Sequence, residues 1–170
     1  MNRRFGLLAL SAVVLLGAPR AADAQVKGYA GVGGGVAIPL GDFGDAAKLG
    51  WLAQATAGIS TSSIIGARIN VTYGQHSPKG GGDGKLKILN FMGDLVLSPR
   101  IAGKVAPYIL AGAGMANEKA EGFSETKFAW NAGAGIRAGM LYLEARFVSV
   151  KHDESNTNWV PITVGVRFPK

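Results

Sequence analysis

Apolar and polar positions alternate with a period of two along most of this chain, and clusters of Gly, Pro, Asn or charged residues interrupt the alternation at intervals. That period belongs to strands whose two faces meet different surroundings. The pattern predicts eight strands, at Gly28–Pro39, Trp51–Ser60, Ile64–Gln75, Leu86–Ser98, Val105–Ala116, Phe128–Gly139, Leu141–Val150 and Trp159–Phe168. The connections alternate in expected length. Leu40–Gly50, His76–Lys85, Glu118–Lys127 and Lys151–Asn158 are long, whereas Thr61–Ser63, Pro99–Lys104 and a turn near Ala138–Met140 are short. In an up-and-down array the four long ones fall at one end.

Within the strands one parity is almost wholly apolar or small: Ile65, Ala67, Ile69, Val71 and Tyr73 in the third, Leu89, Phe91, Gly93, Leu95 and Leu97 in the fourth, Val160, Ile162, Val164, Val166 and Phe168 in the last. The other parity carries Gln54, Thr56, Asn70, Thr72, Asn90, Asn131 and Thr163, and its charges are Arg68, Asp94, Arg137, Glu144, Arg146 and Arg167. Two barrels fit such a pattern, a soluble one with its apolar face inward and a membrane-spanning one with its apolar face outward. A soluble surface is about a quarter or more charged, far more than this polar parity offers. The expected fold is therefore an all-β, eight-stranded antiparallel up-and-down transmembrane barrel, whose tilted strands need about 9–11 residues each to cross. Short turns on one side and longer loops on the other suit a bacterial outer-membrane barrel, with both termini in the periplasm. Trp51, Tyr73 and Trp130, on the apolar parity at the long-loop ends, are placed for an interfacial girdle.

The remaining features refine that picture. Met1-Asn2-Arg3-Arg4, the apolar run Phe5 to Gly17 and Ala22-Asp23-Ala24 read as a cleavable signal peptide over residues 1–24, leaving a single domain over 25–170. With no cysteine there are neither disulfides nor thiolate metal sites. The 26 glycines are too many for ordinary strands, and their alternation with β-branched and aromatic residues argues for close backbone approach in a small barrel rather than disorder. The formal charge of +7 loses three with Arg3, Arg4 and Arg20 of the expected signal peptide and regains one with Asp23, becoming +5. What remains is scattered over loops, lumen and turns, so no contiguous basic face exists for nucleic acid.

Gly34-Gly35-Val36-Ala37-Ile38-Pro39-Leu40-Gly41-Asp42-Phe43, Pro107-Tyr108-Ile109-Leu110-Ala111-Gly112-Ala113-Gly114, Asn131-Ala132-Gly133-Ala134-Gly135 and Val164-Gly165-Val166-Arg167-Phe168 resemble the OmpA/OmpX-like small outer-membrane β-barrel domain family. The resemblance spans the whole mature chain and speaks to fold more than to function. The closing strand, through Val164, Val166 and Phe168, is similar to the signal read by the barrel-assembly machinery, with Pro169-Lys170 as a departure after the aromatic residue.

Candidate chemistry is sparse. His152-Asp153-Glu154-Ser155-Asn156 resembles the His-x-Ser-Asn region of outer-membrane lipid A deacylases, but His152 and Ser155 are three apart, which puts them on opposite faces of a strand. His76 and His152 are too few for a zinc site, which needs three or four ligands, and are expected as solvated loop residues. Lys79 to Lys85 lacks the spacing of a phosphate loop. Lys85 and Lys87 sit just beyond the apolar band, where long side chains reach the headgroup level, and are expected to contact lipopolysaccharide. Inside, Arg68 and Asp94 fall at similar heights on neighbouring strands and are expected to pair, while Glu144 is expected to serve Arg137, Arg167 and Arg146. The sequence thus predicts a non-enzymatic, monomeric barrel without cofactor, with a structural or surface-interaction role through its outside loops. An extracellular partner is not legible. The alternatives are a narrow pore for small solutes or a lipid-modifying enzyme.

Overall fold

A computed structural model describes residues 26–61, 64–80, 84–99, 104–120, 123–152 and 156–169. The expected signal peptide and its cleavage site, and the loop residues Asp153, Glu154 and Ser155, lie outside the described residues. The elements are β1 (Lys27–Leu40), α1 (Gly41–Ala46), β2 (Gly50–Ser60), β3 (Ile65–His76), β4 (Leu86–Leu97), β5 (Val105–Ala120), β6 (Phe123–Ala138), β7 (Leu141–Lys151) and β8 (Asn156–Pro169). Each strand pairs antiparallel with the next, and β8 pairs with β1 from Tyr29↔Pro169 to Leu40↔Asn158, closing the barrel. Closure removes the edges that would leave backbone N–H and C=O groups unpaired in lipid. No helix among the described residues is long and apolar enough to cross a membrane.

The two parities separate as the alternation predicts. Ile65, Ile69, Phe91, Leu95, Phe128, Leu141, Leu143, Val164 and Phe168 are exposed on the outer surface, and Arg68, Asn70, Asp94, Asn131, Glu144 and Arg146 are buried. Trp51 packs on Tyr73 at 5.5 Å between ring centroids on the outer face of β2 and β3, and Trp130 on Phe147 at the same distance on β6 and β7.

Two features depart from expectation. The segment read as a long loop, Glu118–Lys127, is mostly ladder: Glu118↔Glu125, Lys119↔Ser124 and Ala120↔Phe123 continue β5 and β6 as a projecting hairpin. Polar residues occupy both faces of this hairpin, half-buried at Glu118 and Glu125 and exposed at Lys119, Ser124 and Thr126, so the apolar signal stops before the hydrogen bonds do. The β1–β2 connection holds α1, which opens on Gly41 at φ +58. A turn of six residues has little helical stability of its own. It is held instead by tertiary contacts: Phe43 is buried, Lys48 N donates to Ser77 O at 2.8 Å, Lys79 N donates to Ala46 O at 2.9 Å, and Lys79 Nζ donates to Gly44 O.

Candidate functional site

The lumen has two storeys. Towards the termini it is polar, because the inward positions of β3, β4, β6 and β7 are Arg68, Asn70, Asp94, Asn131, Glu144 and Arg146. In an eight-stranded ring β3 and β7 stand on opposite walls, and the Arg68 guanidinium crosses between them to meet Glu144 with two hydrogen bonds, of 2.7 and 2.9 Å. Its Nε also donates to Asp94 Oδ2 at 2.8 Å, across the register pair Arg68↔Asp94. Tyr108 donates to Glu144 at 2.9 Å and Asn131 to Asp94 at 2.9 Å. A second guanidinium lies above: Arg146 reaches Gln54 at 2.5 Å, Asn70 at 3.2 Å and Thr72 at 3.3 Å. Its Nε is 3.2 Å from Glu144, near enough to attract the carboxylate but out of line for a hydrogen bond. Glu144 is fully buried, so a bidentate partner is what keeps a carboxylate tolerable there.

Glycine makes room for this network. Tyr142 lies over the facing pair Gly33↔Gly165, where an added Cβ would sit 2.4 Å from its ring or hydroxyl, and Tyr108 lies over Gly135 at the same distance. The phenols therefore occupy notches in the wall rather than the axis of the barrel.

Towards the long loops the interior is apolar. Ala37, Leu52, Ile88, Met92, Ala116, Ala129, Val148, Val150 and Trp159 form a core inside the barrel, capped by Phe43 and Ala47 from the β1–β2 connection. Phe43 meets His76 edge-on at 5.0 Å and Trp159 at 6.4 Å. Sequence reasoning missed this storey, since both parities are apolar there and alternation loses its sign. Phe43, Tyr29, Tyr108 and Tyr142 were missed with it.

Several expected positions are revised. Arg137 and Arg167 do not reach Glu144; Arg137 lies opposite Tyr142, nearer the termini, and the Arg167 guanidinium stacks 3.3 Å over the Tyr29 ring. His76 is not a solvated loop residue but is buried under α1, with Nδ1 3.1 Å from Lys48 O. His152 is elsewhere, with Nε2 3.1 Å from Glu118 and 3.2 Å from Thr157. Both partners share one ring nitrogen, so this imidazole cannot pass a proton from hydroxyl to carboxylate in the manner of a triad. No group of three metal-ligating side chains occurs among the described residues. Lys85 and Lys87 are exposed at the long-loop end, with Lys87 directly opposite Lys119 in the β4–β5 ladder. Val164 and Phe168 lie on the outer surface of β8, with Val166 half-buried between them.

The profile of the outer membrane protein β-barrel domain family matches residues 8–168. No curated protein matches the sequence. Among solved structures, Neisserial surface protein A superposes with a TM-score of 0.65 at 16% identity, over 82% of this chain and 95% of that one. The outer membrane enzyme PagL gives 0.57 at 15% identity, over 84% and 99%. The Yersinia pestis outer membrane protein Ail, in a phospholipid bilayer nanodisc, gives 0.51 at 20% identity, over 83% and 99%. At such identities the likeness is one of fold, and it joins proteins of unlike activity.

Proposed function

Because this chain belongs to the outer membrane protein β-barrel domain family, we propose that it is a sealed, non-enzymatic barrel of the bacterial outer membrane whose contacts are made at its outer rim. The observation that carries this reading is the obstruction of the lumen at two levels, by the Arg68–Glu144 strut and by the apolar core under Phe43. Eight strands leave an interior that side chains just fill. Both termini and the short turns then face the periplasm, and Val164, Val166 and Phe168 present the outward-facing motif through which the barrel-assembly machinery would take up β8. Planar-bilayer recording of the refolded protein is expected to show no current steps above the lipid background, and incubation with lipid A is expected to release no fatty acid. Regular channel openings would overturn the seal, and acyl release would overturn the non-enzymatic role.

One feature of the rim favours a specific contact. Like charges placed directly opposite in a ladder repel, yet Lys87 faces Lys119 on the outer surface, with Lys85 exposed two positions on. Anionic phosphates of lipopolysaccharide would relieve that repulsion. The Lys85→Gln/Lys87→Gln variant is expected to bind lipopolysaccharide several-fold more weakly than the parent, and equal binding would remove these lysines from the reading.

A further inference from the structure

Among the described residues the lumen holds more guanidinium than carboxylate, with Arg68, Arg137, Arg146 and Arg167 against Asp94 and Glu144. Asp94 and Glu144 are fully engaged by Arg68, Arg146, Tyr108 and Asn131, yet Arg137 and Arg167 also point inward, below that network at the mouth beside the chain termini. Around them is a cavity of about 30 Å³, lined by Arg68, Arg137, Arg167, Tyr29, Tyr108 and Tyr142 together with Thr56 and Val96. Among the described residues its lining contains no carboxylate. We propose that this mouth is a binding site for a small free oxyanion, phosphate or a short carboxylate, held by Arg137 and Arg167.

The geometry is that of a prepared donor set. The Arg167 guanidinium carbon lies over the Tyr29 ring, 3.3 Å from its centroid. Stacking uses the face of a guanidinium and leaves its N–H groups, which lie in the plane, free to donate. Arg137, on β6, stands across β7 from Arg167, on β8, and is half-buried, as Arg167 is. Two like charges confined near a low-dielectric wall repel, and an anion between them removes the repulsion while accepting a fork from each. At about 10–15 Å³ per water the enclosed space holds two or three water-sized groups, so it takes the leading oxygens of an anion whose remainder stays in the open mouth. The wall is continuous hydrogen-bonded strand on every side, so a phosphate still attached to its lipid has no lateral way in. Access is from the mouth alone.

The test uses the full barrel refolded in a zwitterionic detergent, with orthophosphate as probe and chloride balancing the ionic strength. Calorimetry is expected to show one saturable site in the parent. In Arg137→Gln/Arg167→Gln, which removes both forks, the affinity is expected to fall at least about tenfold, the effect that losing even a single hydrogen bond to a charged group would have. If that variant does not refold, Arg137→Lys keeps the charge without the fork and is expected to bind measurably more weakly. The Lys85→Gln/Lys87→Gln variant should bind phosphate like the parent. Absence of saturable heat in the parent, undiminished binding in the arginine variants, or loss of binding in the lysine variant would each overturn the site. None of these results depends on the barrel being sealed or on which way it faces the membrane, so failure here and failure of the sealed-barrel reading remain distinguishable.

Discussion

Glu144 is the residue on which the polar storey turns, because Arg68, Arg146 and Tyr108 all address it. Removing one partner of a buried ion pair leaves the other uncompensated and costs about 3–5 kcal/mol. Glu144→Gln is therefore expected to lower stability to urea in detergent by about 3 kcal/mol. Adding Arg68→Gln should recover part of the loss, whereas adding Arg167→Gln should recover none, since that guanidinium lies on Tyr29 instead. Recovery by the Arg167 change alone would show that the partner has been misassigned. The register of Arg68 with Asp94 was legible by counting up from the turns, because neighbouring strands share a ladder. The Arg68–Glu144 pair was not. Its partners are 76 residues apart in sequence and meet only because closure sets β3 opposite β7. Placement on opposite walls at equal height was the available signal, and adjacent-strand reasoning passes over it.

At the scale of elements, the strands were legible wherever one face meets lipid and the other a polar lumen, as in Ile65 to Tyr73. They were not where that contrast disappears, in the projecting β5–β6 hairpin, which is polar on both faces, and at the start of β8, where Asn156, Thr157 and Asn158 precede the expected strand. The strand of Val148 and Val150 was legible, but its apolar lumen face was not. The short helix α1 left no periodic signal because Phe43, not helix propensity, holds it. Phe43→Ala is expected to cost about 3 kcal/mol, the usual loss for a buried phenylalanine, and to expose His76 to water. It should not produce conductance, because the Arg68–Glu144 strut lies beneath it. A pore appearing in that variant would place the seal in the apolar storey alone. Glycine sets a harder limit at the seam between β1 and β8. A Cβ at Gly35 would lie 1.9 Å from Ile162 O, a backbone atom with no freedom to retreat. Gly35→Ala is expected to abolish the compact, heat-modifiable band of the folded barrel in gel electrophoresis, while Gly34→Ala, whose nearest atom would be Leu52 O at 3.4 Å, should fold.

For the whole molecule, alternation and low strand charge together pointed to a closed eight-stranded barrel, and the ring of eight antiparallel strands is that barrel. Its orientation is open to a direct check. A protease site inserted between Gly81 and Gly82 is expected to be cut on intact cells, and one at Ala102 to be protected; the reverse pattern would invert the barrel. The ring also has a kinetic consequence. Tyr29 pairs with Pro169, so the joint that closes the wall unites the first described strand with the last. Ring closure over so many residues carries an entropic cost that neighbouring hairpins avoid, which makes such pairings slow. Seven strands alone would present two unsatisfied edges to hydrocarbon, where no water can compensate them. Assembly therefore has no useful halfway point: a chain that loses β8 to early termination or proteolysis cannot close its wall, however well its other seven strands have begun to pair.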